Sequence, residues 1–130
     1  MTIEWPDYYP PQCPPADAQP AIGHYFRLVD AAPPSGEDVM THVELQSIGA
    51  RYKGKDFGDK QCMASGFSVF DELAAAERTR KSVGPLRKKK IAKIDVSGPG
   101  VIQQTGKDPS HHTWWRPVSD SDWTTCTVVA

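Results

Sequence analysis

Proline is the residue that most constrains this chain. Twelve prolines fall in 130 residues, six of them at Pro6, Pro10, Pro11, Pro14, Pro15 and Pro20. Each fixes φ and lacks a backbone donor, so a helix or a central strand cannot run through it. Residues 1–21 therefore read as an arm of polyproline-like coil. Such a terminus is either a mobile tail or, because Trp5, Tyr8 and Tyr9 need something to lie on, an arm along the domain surface. Later prolines punctuate the rest. Pro33-Pro34 stops a strand, Gly84-Pro85 ends a helix, and Pro99 and Pro109 sit in turns. Only short elements fit between them.

Those elements follow from pattern. His24–Val29 is a strand, with Tyr25, Arg27 and Val29 on one face and Phe26 and Leu28 on the other. Ser35 caps a helix over about 36–47, with Val39, Met40 and Val43 on one side and Gly49 as its stop. Residues 50–61 are a glycine-bearing loop around Tyr52 and Phe57. Met63–Phe70 reads as a strand. Asp71 caps an alanine-rich helix to about Ser82, with Leu73, Ala76 and Val83 inward. Lys90–Val96 is a strand burying Ala92, Ile94 and Val96, and it forms a hairpin with Val101–Gln104 across the turn Ser97–Gly100. Thr105–Pro109 turns into an extended His112–Trp115, and Trp123–Val129 is the last strand. Two helices and five or six strands without strict alternation predict an α+β domain over 22–130, with a small, mainly antiparallel sheet.

The chain is long enough to bury a core without staples. No apolar run approaches the ~20 residues that span a bilayer. The first residues carry Glu4 and Asp7 and no basic or apolar leader, which predicts a cytoplasmic protein with no membrane contact. Cys13, Cys62 and Cys126 are an odd number without local pairing, which predicts free thiols: Cys13 as a spacer in the arm and Cys126 in the core. A net charge of −1 provides no overall field for nucleic acid.

Chemistry concentrates in Asp108–Trp115. Adjacent strand residues point to opposite faces, so His111 and His112 cannot enter one pocket. For the same reason one of Trp114 and Trp115 is expected to be part-exposed, a contact residue unless the arm covers it. Neither Cys126 nor Asp108 completes a metal-ligand spacing with the histidines, so no metal is expected. The second concentration is basic: Arg78, Arg80, Lys81, Arg87, Lys88, Lys89, Lys90 and Lys93 hold eight of the fifteen cations. They suit an acidic protein partner or nucleic acid, or else a solvated face that complements a helix C-terminus. Phosphate-loop, zinc-protease and nucleophile-elbow motifs are absent.

The strand Tyr25–Val29, the run Gly66-Phe67-Ser68-Val69-Phe70 and the late His-His-Thr-Trp-Trp together resemble a set of small, poorly characterised bacterial proteins. More loosely, the arrangement is similar to ADP-ribosyltransferase-like folds. That resemblance implies Arg27 on dinucleotide phosphates and Ser68 in a nicotinamide pocket, with NAD as cofactor. The last glutamate is Glu77, so a late catalytic glutamate is missing. RNA 2′-phosphotransferases, which use arginine and histidine, are the nearer resemblance in that respect, and it implies Arg27, His111, His112 and Arg116 in those roles. Two expectations result. The leading one is a binding or accessory module without a cofactor, which contacts a partner through 78–93 (Arg87, Lys88, Lys89 and Lys90 foremost) and through 111–115 with Arg116. The rival is a nucleotide-handling enzyme in which Arg27 and either His111 or His112 converge on one pocket, with Ser68 as a further candidate.

Overall fold

A computed structural model describes residues 4–97, 99–118 and 126–130. Its centre is the antiparallel pair β2 (Gly23–Val29) and β4 (Lys90–Val96), in register from Gly23 opposite Val96 to Val29 opposite Lys90. The other strands are β1 (Gln19–Pro20), β3 (Phe67–Phe70), β5 (Val101–Gln104), β6 (His111–Trp115) and β7 (Thr127–Val128). They form one antiparallel sheet in the order β1-β5-β6-β3-β2-β4-β7. The helices are α1 (His42–Ser47), α2 (Gln61–Ala64) and α3 (Leu73–Ser82), with 3-10 turns at Gly36–Val39, Gly58–Lys60 and Gly84–Leu86. The fold is thus α+β with an antiparallel sheet, as expected. Among the described residues it has seven strands and three α-helices, against five or six and two expected.

Both faces of the sheet are covered. On one, Val29, Phe67, Val69, Ala92, Ile94, Val96, Ile102 and Trp114 form the main core. On the other, Phe70 and Ile91 pack against Ala75 and Ala76 of α3, with Phe26, Leu28 and Leu73 around them. The small residues of α3 let it lie close to the sheet. Val83, expected inward, is 41% exposed.

Several expectations are corrected. The helix expected over 36–47 is two pieces, because Thr41 and Glu44 form a fresh capping box: Glu44 N donates to Thr41 Oγ1 and Thr41 N to Glu44 Oε1. Met63–Phe70 is not one strand. Residues 61–64 are helical, and Gly66 makes the corner into β3. A Cβ at Gly66 would meet Thr113 Cγ2 at 2.5 Å. The cap of α3 is Glu72, not Asp71. Asp71 Oδ1 instead accepts from Ser110 Oγ at 2.5 Å, while Ser110 Oγ accepts the Glu72 N–H. β4 and β5 do not pair. β4 is held between β2 and β7, and β5 joins β1 and β6 in the other half of the sheet. Of the expected last strand, Thr127–Val128 pairs with β4, and Trp123–Thr125 lie outside the described residues.

The expectation of three free thiols is also overturned, since Cys13 and Cys62 form a disulfide. It ties the arm to α2, and Cys126 remains a buried free thiol whose pKa is raised by burial. The arm lies on the domain. Glu4 O accepts from Val118 N, Trp5 stacks on Tyr9, and β1 pairs with β5. Tyr8 bonds Thr41 Oγ1, and burial pushes its pKa up to about 12.

Candidate functional site

β2 and β3 pair only through Phe26 opposite Phe70. One residue further on, Arg27 bridges them in place of a ladder. Its Nη1 donates to Ser68 O (2.9 Å), Nε to Asp38 O (3.0 Å) and Nη2 to Met40 O (3.1 Å). One planar fork thus satisfies three carbonyls on two segments, 38–40 and β3. Burial lowers the guanidinium pKa to about 10, which Asp38 partly opposes, and it stays charged at neutral pH. The Asp38 carboxylate is used locally, accepting the N–H groups of Asp30, Ala31 and Ser35.

In front of this junction lies a groove with two lobes. The first is a cavity of about 290 Å³ lined among others by Arg27, Glu37, Arg51, Ser68, Lys89 and His111. The second, about 270 Å³, is lined among others by Phe57, Lys55, Lys60, Met63 and Thr113. His42, Tyr52, Ser68 and His111 line both. The size is at the low end of small-molecule sites.

The floor is the Ser68–His111 pair. β3 and β6 lie side by side with Ser68 opposite Thr113 and Phe70 opposite His111. Ser68 Oγ bonds His111 Nε2. The other ring nitrogen, Nδ1, is 3.0 Å from Thr105 O and 3.1 Å from Thr105 Oγ1. The ring edge packs on Phe70 at 5.5 Å. A hydroxyl, an imidazole and a third group that orients it are thereby aligned.

The wall of the second lobe is aromatic. His42 packs on Tyr52 (4.6 Å between centroids) and Phe57 (6.5 Å), and Lys55 Nζ lies 5.7 and 5.6 Å from the Tyr52 and Phe57 rings. Burial, then the nearby charges of Arg27, Lys55 and Arg51, lowers the His42 pKa. Tyr52 has φ +59°, the left-handed region that a bulky residue rarely adopts. The turn is held by Gln46, whose Nε2 donates to Tyr52 O and Lys55 O, both at 2.7 Å. Backbone strain of this kind clusters at ligand sites.

Three of the four expected catalytic residues, Arg27, Ser68 and His111, therefore meet in one groove. His112 does not. It is on the opposite face beside Tyr25, its Nδ1 bonded to Ser110 O. Trp114 and Trp115 are corrected as contact residues. They are 0% and 1% exposed, because each face of β6 has its own cover. Trp114 is in the main core, and Trp115 Nε1 donates to Cys62 O in disulfide-anchored α2. Arg116 lies over the Phe67 and Trp114 rings. Of the basic segment, Lys89 pairs with Asp30 at 3.0 Å and lines the first lobe, Lys90 Nζ donates to Asp30 O, and Arg87 and Arg80 donate to the carbonyls of Lys81 and Lys89. Arg87, Lys88 and Lys90 are exposed.

His42, Arg51, Tyr52 and Lys55 are the residues that pattern reading passed over. The aromatics in a glycine-bearing loop were the available signal for Tyr52, and His42 offered none. Among the described residues, no group of three or more His, Cys, Asp or Glu side chains is placed to hold a metal ion. Compared with protein-family models, curated proteins and solved structures, the chain matches none.

Proposed function

We propose that the groove is the active site of an enzyme acting on a nucleotide-like ligand. The observation that carries the reading is the convergence of Arg27, Ser68 and His111 on one concave floor, Ser68 and His111 in direct hydrogen bond. The two lobes divide the work. Arg51, which shares the first lobe with Arg27, the Lys89–Asp30 pair, Glu37 and Asp38, suits phosphate oxygens. Tyr52, Phe57 and His42 suit a flat ring, with Lys55 and Lys60 supplying further positive charge and, among the described residues, no carboxylate lining that lobe. Ser68 and His111 stand where the lobes meet, next to whatever bond joins ring and phosphate. NAD, the cofactor of the ADP-ribosyltransferase resemblance, has both parts.

Calorimetric titration with NAD⁺ and with a short single-stranded RNA tests this. One of them is expected to bind, at least about tenfold more weakly in Tyr52→Ala and Arg51→Ala, the size of one lost stacking or charge contact. Absence of binding to both, or binding indifferent to both variants, refutes it.

A second reading is favoured by the exposure of Arg78, Lys81, Arg87, Lys88 and Lys90 around the C-terminal end of α3 and the start of β4. This region is a surface for an acidic protein partner. Reversing the charges of Lys88 and Lys90 is expected to abolish recovery of that partner, and unchanged recovery would discard it. The compartment belongs with these proposals. A cytoplasmic protein would carry Cys13 and Cys62 as thiols, and a disulfide in the protein from its native source assigns it to an oxidising one.

A further inference from the structure

We infer that Ser68 is a nucleophile activated by His111, and that the groove cleaves a phosphoester through a covalent seryl intermediate. The substrate class rests on the nucleotide reading above, whereas the nucleophile rests on geometry alone. Thr105 O, 3.0 Å from His111 Nδ1, can only accept a hydrogen bond. Nδ1 carries the ring proton toward it when the Thr105 hydroxyl, 3.1 Å from Nδ1, is engaged with Thr113 Oγ1 at 2.8 Å. In the neutral imidazole this leaves Nε2 as a lone pair, so the Ser68 hydroxyl is the donor in their bond. That is the polarity a general base requires, set by the backbone of the β5–β6 turn.

The turn and the serine are both fixed. Gln104 Nε2 donates to the carbonyls of Thr105, Gly106 and Asp108, and Thr105 N donates to His111 O. Ser68 is held by strand pairing on one side and by Arg27 on its carbonyl on the other. An ordinary structural serine–histidine bond needs neither a groove nor cations around it. Here both lobes open onto the pair; Arg27, Arg51 and Lys89 line the first together with Asp30, Glu37 and Asp38, and Lys55 and Lys60 line the second.

The chemistry balances with water as co-reactant. Ser68 Oγ attacks phosphorus while its proton moves to His111 Nε2. The bond from phosphorus to the leaving oxygen breaks, and His111 returns the proton to that oxygen. Water, deprotonated by His111, then attacks the seryl phosphoester, the bond from phosphorus to Ser68 Oγ breaks, and His111 returns the proton to that oxygen. Arg51 in the first lobe and Lys55 and Lys60 in the second offset the charge on the phosphoryl oxygens throughout.

A fluorophosphonate offers the same tetrahedral phosphorus with fluoride as leaving group. Intact mass and peptide mapping of the full chain are expected to show one adduct, on Ser68. It should be absent in Ser68→Ala, at least about 10²-fold slower in His111→Gln, the scale of general-base assistance, and absent in urea-unfolded wild type. Urea midpoints verify that the variants fold. No adduct on Ser68, equal labelling of the unfolded chain, or a wild-type rate in folded His111→Gln each overturns the inference. An adduct without NAD⁺ or RNA binding supports the nucleophile and removes the nucleotide reading. Binding without an adduct removes the nucleophile and leaves that reading intact.

Discussion

Arg27 shows how one side chain can stand in for secondary structure. Where β2 and β3 diverge, the carbonyls of Ser68, Asp38 and Met40 all take a donor from its guanidinium. Arg27→Ala leaves them without it, and a loss of about 3–5 kcal/mol is expected in urea denaturation, the scale of a broken buried charged network. Arg27→Lys, a point donor, should recover only part. His42 is a second case. Its pKa is lowered in the fold by burial and by Arg27, Lys55 and Arg51. The folded protein therefore binds fewer protons than the unfolded chain between that lowered value and about 6.5, the ordinary imidazole value. Stability from this residue is complete above that window and falls with pH through it. Replacing His42 with Phe is expected to flatten that stretch of the stability–pH curve, read from urea midpoints at successive pH values. An unchanged slope would remove the burial account. No sequence signal marks either role, because both depend on what tertiary packing places around the group.

At the scale of elements, the strands are the best-read part of the chain. Lys90–Val96 and Val101–Gln104 appear at the expected residues, since alternation reports a half-buried strand directly. Partners are a different matter. The Ser97–Gly100 turn looks like a hairpin, yet it carries the chain from one half of the sheet to the other. What decides this is side-chain fit: β2 matches all seven residues of β4, and Ile102 packs opposite Trp114 in the main core. Two glycines mark where elements touch. A Cβ at Gly100 would lie 2.6 Å from Trp115 O, and one at Gly66 would lie 2.5 Å from the Thr113 side chain and 3.1 Å from Trp114 O. Gly100→Ala is expected to cost about 1–3 kcal/mol, as overpacking does. Gly66→Ala should cost at least as much, because Thr113 is buried and stiff at χ1 and Trp114 O lies close behind it. The comparison needs only two melting or urea curves, and a neutral Gly100→Ala would contradict the register of β5 against β6.

The whole molecule is closed by the arm. Through Cys13–Cys62 it anchors α2, which covers Trp115 and contributes Met63 and Ala64 to the second lobe. Alkylation under denaturing, non-reducing conditions is expected to modify one cysteine, Cys126, in protein made in an oxidising compartment, and three modified cysteines would exclude the bond. The Cys13→Ser, Cys62→Ser double variant should lose about 2–4 kcal/mol, the usual value of a crosslink closing a loop of this size. The sequence alone determined the class of fold, the strands of strict alternation, the turns at proline and glycine, and the residue types from which a site could be built. These are local properties, set by side-chain period and backbone dihedrals. Strand order, the disulfide, the burial of both tryptophans, and which histidine meets Ser68 were decided only by the tertiary structure. They depend on contacts between segments dozens of residues apart, and no local periodicity encodes which face of one strand will meet another.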